Sequence, residues 1–456
     1  MARDQIDMAP IETRDDLVRW LEQGAKPKAR FRIGTEHEKF AFAIGRHEPV
    51  PYDGPRGIRA LLDGMGMLLG WEPIVEHENI IGLVDVTGGG AISLEPGGQF
   101  ELSGAAVETV HETCAELMAH LAQLREVARP LGIGFLGIGM SPKWTLAEMP
   151  VMPKGRYRIM TAYMPKVGRH GLDMMYRTCT VQTNLDFSSE ADMVKKLRVG
   201  LALQPIATAL FANSPFTEGK PNGFLSFRSQ IWRDTDPDRT GMLPWVFEPG
   251  MGFERWVDYA LDVPMYFVKR GDTYIDVAGQ SFRTLLGGQL EVIPGERATL
   301  SDWANHLTTI FPEVRLKRYL EMRGADAGPW RRLPALPAFW VGLLYDEDSL
   351  AAAWDLVKAW SAEERQKLRD DVPRLGFGAA IRERSVLDLA TECLELARKG
   401  LSRRDRLDRN DCDETRYLEP IEDFVERGIT PAEELLEKFH GPWGGSVEPV
   451  FTEYAY

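Results

Sequence analysis

The chain has 456 residues, of which 44% are hydrophobic and 27% charged, and it carries a formal net charge of −14. That is ordinary for a globular enzyme, with length enough for two or three domains. The acidic balance argues against a nucleic-acid binder, which needs a basic surface, but leaves room for a nucleotide held by local arginines and cations.

The elements follow in chain order. Thr13 stands before Asp15, Leu17, Val18, Trp20 and Leu21, a capped helix at helical spacing. The run 31–42 alternates and is rich in aromatic and β-branched residues, so it reads as a strand. Residues 91–102 read as two strands broken by the turn Pro96-Gly97-Gly98. A helix is predicted over 107–129, with Val107, Val110, Cys114, Leu117, Met118, Leu121 and Leu124 on its apolar face. Strands follow at 133–138 and 177–187, then a helix over 191–212, interrupted or bent near Pro205. The stretch 221–252 reads as active-site loop material. From about residue 346 the chain is mostly amphipathic helix, including 361–368, where Ser361 and Glu364 form a capping box, and 385–401. Strand pairs and separate helical runs, without βαβ regularity, favour an α+β fold. No linker is clean enough to divide the chain, so 1–456 is read as one catalytic domain.

The longest apolar stretch, 333–344, contains Pro334 and Pro337 and is too short to cross a bilayer. The first residues are polar and acidic, with neither an apolar signal core nor Arg/Ser-rich transit character, which predicts a cytoplasmic protein. The cysteines, Cys114, Cys179, Cys393 and Cys412, fit neither a zinc site nor a disulfide framework.

Glu36 and Glu38 are the first chemical candidates. Two apart on a strand, they share a face and repel unless a cation lies between them. Magnesium, bound by hard oxygen ligands, is a natural partner; spacing alone leaves an exposed acidic strand edge open. In Ser93-Leu-Glu-Pro-Gly-Gly-Gln-Phe-Glu101, Gln99 and Glu101 share a face and Glu95 enters across the turn; an ordinary polar hairpin is the alternative. Arg228 and Arg233 flank a glycine-containing region, and Glu321 and Arg323 share a face if 319–324 is a strand. Arginine forks suit phosphate and carboxylate, although a lone arginine is more often a surface or ion-pair residue. Gly132-Ile-Gly-Phe-Leu-Gly137 matches a dinucleotide fingerprint only in letters: it follows a helix and lies inside a strand. His37 points opposite Glu36 and Glu38.

Several of these segments resemble the plant-type glutamate–cysteine ligases, a family shared with many bacteria. They are Gly34-Thr-Glu-His-Glu-Lys-Phe40, Ser93–Gly104, Met152-Pro-Lys-Gly-Arg-Tyr157, Leu172–Met175, Thr178–Phe187, Pro215–Gly223, Thr308–Asp326 and Gly441-Pro-Trp-Gly444. The resemblance runs from about residue 12 to the C-terminus. It implies a glutamine-synthetase-like catalytic fold, related to the guanidino kinases, with an antiparallel sheet as the active-site floor. It implies ATP- and magnesium-dependent joining of glutamate to cysteine through a γ-glutamyl phosphate, the first step of glutathione synthesis.

By the same resemblance Glu36, Glu38, Glu95, Glu101 and Glu321 are magnesium ligands, with Gln182 beside them. Arg228 and Arg323 contact the transferred phosphoryl group and form the catalytic set with Glu38. Arg156 contacts nucleotide or substrate, and Trp232 and Tyr266 line the amino-acid pockets. The partners implied are glutamate, cysteine and ATP, with no nucleic acid or membrane, in a monomer or homodimer. Plant members carry regulatory disulfides. Val277, Val292 and Pro334 occupy matching positions here and Cys114 lacks a counterpart, so no switch of that kind is expected. Other readings are the same fold ligating another amine, a phosphotransferase, and a non-enzymatic glutamate or nucleotide binder.

Overall fold

A computed structural model describes residues 7–456. Helix α1, Arg14–Glu22, starts at Thr13, whose N–H donates to Asp16. Strand β1, Ile33–Ala43, is the spine of the fold. Helix α2, Ile58–Leu69, precedes the meander β2 (Glu72–Glu76), β3 (Asn79–Val84), β4 (Ala91–Leu94) and β5 (Phe100–Ser103). Helix α3, Val110–Leu131, leads into β6, Ile133–Leu136, which returns antiparallel along the C-terminal half of β1.

Helices α4 (Gly155–Tyr163) and α5 (Gly171–Arg177) precede β7, Thr180–Leu185. The long helix α6, Glu190–Leu210, and the short helix α7, Phe227–Trp232, follow. Strands β8 (Val314–Leu316) and β9 (Leu320–Asp326) complete a nine-stranded sheet. Its order is β8-β9-β7-β1-β5-β4-β3-β2, with β6 on β1, and every pairing is antiparallel.

The two faces of β1 differ. Thr35, His37 and Lys39 are buried on one side, where the His37 ring meets His120 of α3 edge-on and Lys39 Nζ donates to the Phe100 carbonyl. Burial, with a smaller contribution from Lys39, depresses both histidines well below the ordinary imidazole range. The opposite face carries Glu36 and Glu38.

Several expectations change in detail. The core face of α3 runs through Val110, Thr113, Leu117, His120, Leu124 and Ala128, while Met118 is 44% exposed and Val107 precedes the helix. The predicted strand at 177 begins at Thr180, because the preceding residues finish α5. Helix α6 continues through Pro205 without a break. Every residue from Val199 to Leu210 is buried, so packing outweighs the missing N–H. The stretch 221–252 contains α7 and is not loop throughout.

Helices begin at Ala335, ahead of the expected 346, and include Ala335–Leu344, Glu347–Val357, Ala362–Leu375 and Val386–Arg404. The apolar Ala335–Leu344 segment is buried on all sides, as a uniformly hydrophobic short helix must be. Ser361 and Glu364 exchange the hydrogen bonds of the expected capping box. Among the described residues no helix is long and apolar enough to cross a membrane.

Candidate active site

Cross-strand register assembles the site. On one sheet face Glu38 opposes Glu101, Glu101 opposes Ser93, and Glu36 opposes Gln182. Directly opposed side chains are neighbours in an antiparallel ladder, so alternation alone brings distant acidic residues together. The Pro96-Gly97-Gly98 turn folds Glu95 over this face. Gly98 has φ +80°, a left-handed conformation suited to glycine.

Above the face lies an open-mouthed cavity. Glu36, Glu38, Glu95, Glu101 and Gln182 line it, together with Arg156, Arg228, Arg323 and Trp232. Ser93 and Ser103 donate to Glu101, the Thr180 N–H donates to Glu38 at 2.9 Å, and Asn184 donates to Glu36 at 2.9 Å.

Charge is poorly balanced on the acidic side. Burial, then the charges of Glu95 and Glu101, push the Glu38 carboxyl well above the usual range. Burial, then Glu101, pushes Glu95 up to about 7. Carboxylates crowded until they hold protons are suited to a divalent cation, and this all-oxygen donor set fits magnesium. Among the described residues no three acidic, imidazole or thiol groups form a ready-made cage.

Two expected site residues are placed differently. Glu321 is completely buried and does not reach the cavity wall. Arg315 and Lys317 pair with it at 2.7 and 2.8 Å, and Arg323 joins them. Burial lifts its carboxyl, but these three cations, Arg315 foremost, outweigh that and hold it well below the usual range. Its lone pairs face protein cations, which is a poor start for a metal ligand. Tyr266 is 1% exposed, and Arg239 lies 3.7 Å from its ring centroid. Its hydroxyl faces Asp236 and Met164 instead of lining the cavity.

Other groups also line the cavity. Lys154 reaches the Leu94 carbonyl at 2.7 Å, beside Glu95. Tyr157 donates to the same carbonyl and approaches Glu95. Both lie in the Met152–Tyr157 segment, so the signal was adjacent to Arg156. Arg315 and Phe311 also line the cavity; the pairing of Arg315 with Glu321 across β8 and β9 was readable only once the hairpin was known. Gln182 accepts from Arg323 at 2.9 Å and so orients an arginine.

An α+β scaffold with an ionic cavity on an antiparallel sheet, lined by acids and arginines together, defines a class of small-molecule enzyme. The comparisons name the family. A model of glutamate-cysteine ligase family 2 matches residues 32–453, and the chain belongs to this family of ligases. It is 59% identical to the chloroplastic glutamate–cysteine ligase of Nicotiana tabacum, over 99% of this chain and 85% of that one. It is 60% identical to that of Arabidopsis thaliana, over 97% and 83%. A solved glutamate–cysteine ligase of Francisella tularensis, in complex with AMP, shares the fold at a TM-score of 0.55 and 12% identity, covering 90% of this chain and 85% of that one. The expected α+β catalytic fold with a central antiparallel sheet holds. The cytoplasmic expectation does not: these relatives are chloroplastic by name. Polar, acidic first residues describe local composition and are weak evidence for a compartment.

Proposed function

We propose that this chain, acting as one catalytic unit, joins the γ-carboxyl of glutamate to the amino group of cysteine at the expense of ATP. The observation that carries this reading is the gathering of Glu38, Glu95 and Glu101 with Arg156, Arg228 and Arg323 around one cavity. The family and the names of the relatives support the same reaction. A γ-carboxylate oxygen attacks the γ-phosphorus of ATP, and ADP leaves. The cysteine amine then attacks the γ-glutamyl phosphate, forming the amide and releasing phosphate and a proton. Arg228 and Arg323 stabilise charge on the moving phosphoryl group, and Arg156 orients nucleotide or substrate. Lys154 adds a cation beside Glu95, and Trp232 forms an apolar side of the substrate space. Glu36, Glu38, Glu95 and Glu101, with Gln182 beside them, would hold magnesium. When bound, the ion neutralises and aligns the polyphosphate. No side chain becomes covalently attached, so the rate comes from positioning and electrostatics.

The test is ADP release with magnesium and glutamate alone, cysteine alone, or both. Full turnover is expected only with both, with γ-glutamylcysteine as product. Full ADP release from one amino acid, without a peptide product, would refute the ligase reading.

A further inference from the structure

Arg228 sits on α7, a single short helix whose start is linked to the sheet through the carboxylate of Asp326. Asp326, at the end of β9, is 2% exposed. Its Oδ2 accepts from the Asn213 N–H at 2.8 Å and from the Ser214 hydroxyl at 2.6 Å. Its Oδ1 accepts from the Ser226 hydroxyl at 2.9 Å. Both hydroxyls pass the restraint on. Ser214 Oγ accepts from the backbone N–H of Arg228 at 3.1 Å, and Ser226 Oγ caps α7 by accepting from Ser229 at 3.2 Å. Ser214, Ser226 and Arg228 are all buried. At the other end of its side chain, Arg228 Nη2 donates to the Arg323 carbonyl at 3.1 Å, three residues before Asp326 on the same strand. Arg228 is thus tied to β9 at its backbone and at its guanidinium.

From this geometry we infer that Asp326 is a positioning residue, which sets Arg228 against the reacting phosphoryl group through Ser214 and Ser226. The inference rests on the proposed role of Arg228. A hydroxyl that donates to a carboxylate makes a charge-assisted bond and has one rotor orientation, so its lone pairs point at the α7 amides. Asp326 is also foremost among the opposite charges that act on the buried Arg228 guanidinium. Gly139 fits the same reading: a Cβ there would lie 2.5 Å from the Asp326 carboxyl carbon.

The experiment is a double-mutant cycle between Asp326→Asn and Arg228→Ala, with amide exchange measured over residues 226–232. Asp326→Asn alone is expected to lower kcat/KM about tenfold, the size of one lost charge-assisted hydrogen bond. In the Arg228→Ala background it is expected to cost almost nothing further, because the residue it positions is gone. Exchange at the α7 amides should rise by more than the loss of global stability in the same variant accounts for. Full multiplication of the two losses, with unchanged exchange at α7, would overturn the inference. If Asp326→Asn does not fold, Ser214→Ala removes only the relay to the Arg228 amide and is read by the same two criteria. Wild-type turnover in Arg228→Ala would instead remove the proposed role of that arginine, and exchange at α7 would still decide whether Asp326 holds it.

Discussion

Glu38 on β1 and Glu101 on β5 stand directly opposite one another in the antiparallel ladder. Opposed Cβ atoms lie about 4.5–5.5 Å apart, where like charges destabilise. The pair therefore costs stability, a cost that a bound cation would relieve. Glu38→Gln is expected to keep the fold, leave the melting temperature unchanged or raise it without magnesium, and lower turnover on the order of a hundredfold. Thermal melts with and without magnesium and steady-state kinetics check this. A melting temperature that still rises with magnesium as in wild type would remove Glu38 from the ion's shell.

Glu321 predicts the opposite pattern. It is the common anion of Arg315, Lys317 and Arg323. Glu321→Gln strands three buried cations and is expected to cost about 3–5 kcal/mol, read as a lower urea midpoint. Residual activity should keep its wild-type dependence on magnesium concentration. A weakened magnesium dependence with normal stability would mean that Glu321 binds the ion directly.

The approach of Arg156 depends on a hairpin at the far edge of the sheet. Glu76 of β2 is 5% exposed and accepts from the Gly155 N–H at 2.5 Å, at the start of α4. A Cβ on Gly155 would meet Glu76 Oε1 at 2.8 Å and Tyr274 at 3.2 Å. Gly155→Ala is therefore expected to displace the first turn of α4. The result would be a loss in kcat/KM of about tenfold with at most about 1–2 kcal/mol of stability. Parallel kinetics and urea denaturation test it; unaltered kinetics would show that Arg156 does not need this seat.

His306 gives a pH prediction. Burial lowers its imidazole to about 4, and Nε2 faces the Ala260 carbonyl at 2.7 Å. The folded state holds this group neutral, while the unfolded chain protonates it near 6.5. Its contribution is therefore present above about 6.5 and is lost as pH falls towards about 4, amounting to roughly 3 kcal/mol. A His306→Gln variant should show a shallower fall in stability than wild type between those pH values. Parallel slopes would exclude His306 as a source of acid sensitivity.

How much was legible follows from which residues speak locally. The same-face placement of Glu36 and Glu38 needed only strand alternation, and the Pro96-Gly97-Gly98 turn announced its hairpin. The resemblance supplied the arginines. The sequence could not show that Arg315 and Lys317 occupy Glu321, because that depends on the register of a hairpin. Nor could it show that Tyr266 turns from the cavity towards Asp236 and Arg239, a choice made by packing among distant segments. Pro205 carried a misleading local signal, since a proline is tolerated when burial on every side holds the helix together.

The division of labour between the two faces of β1 has a consequence for change in this segment. Substitution at Glu36 or Glu38 touches one side only, but insertion or deletion of a single residue between 33 and 39 exchanges the sides. It would turn Thr35, His37 and Lys39 into the open chamber and drive two carboxylates against the aromatic layer beneath. The strand is locked in length more tightly than in composition. Frame-preserving deletion scans should show this as a sharp gap in tolerated variants across these few positions.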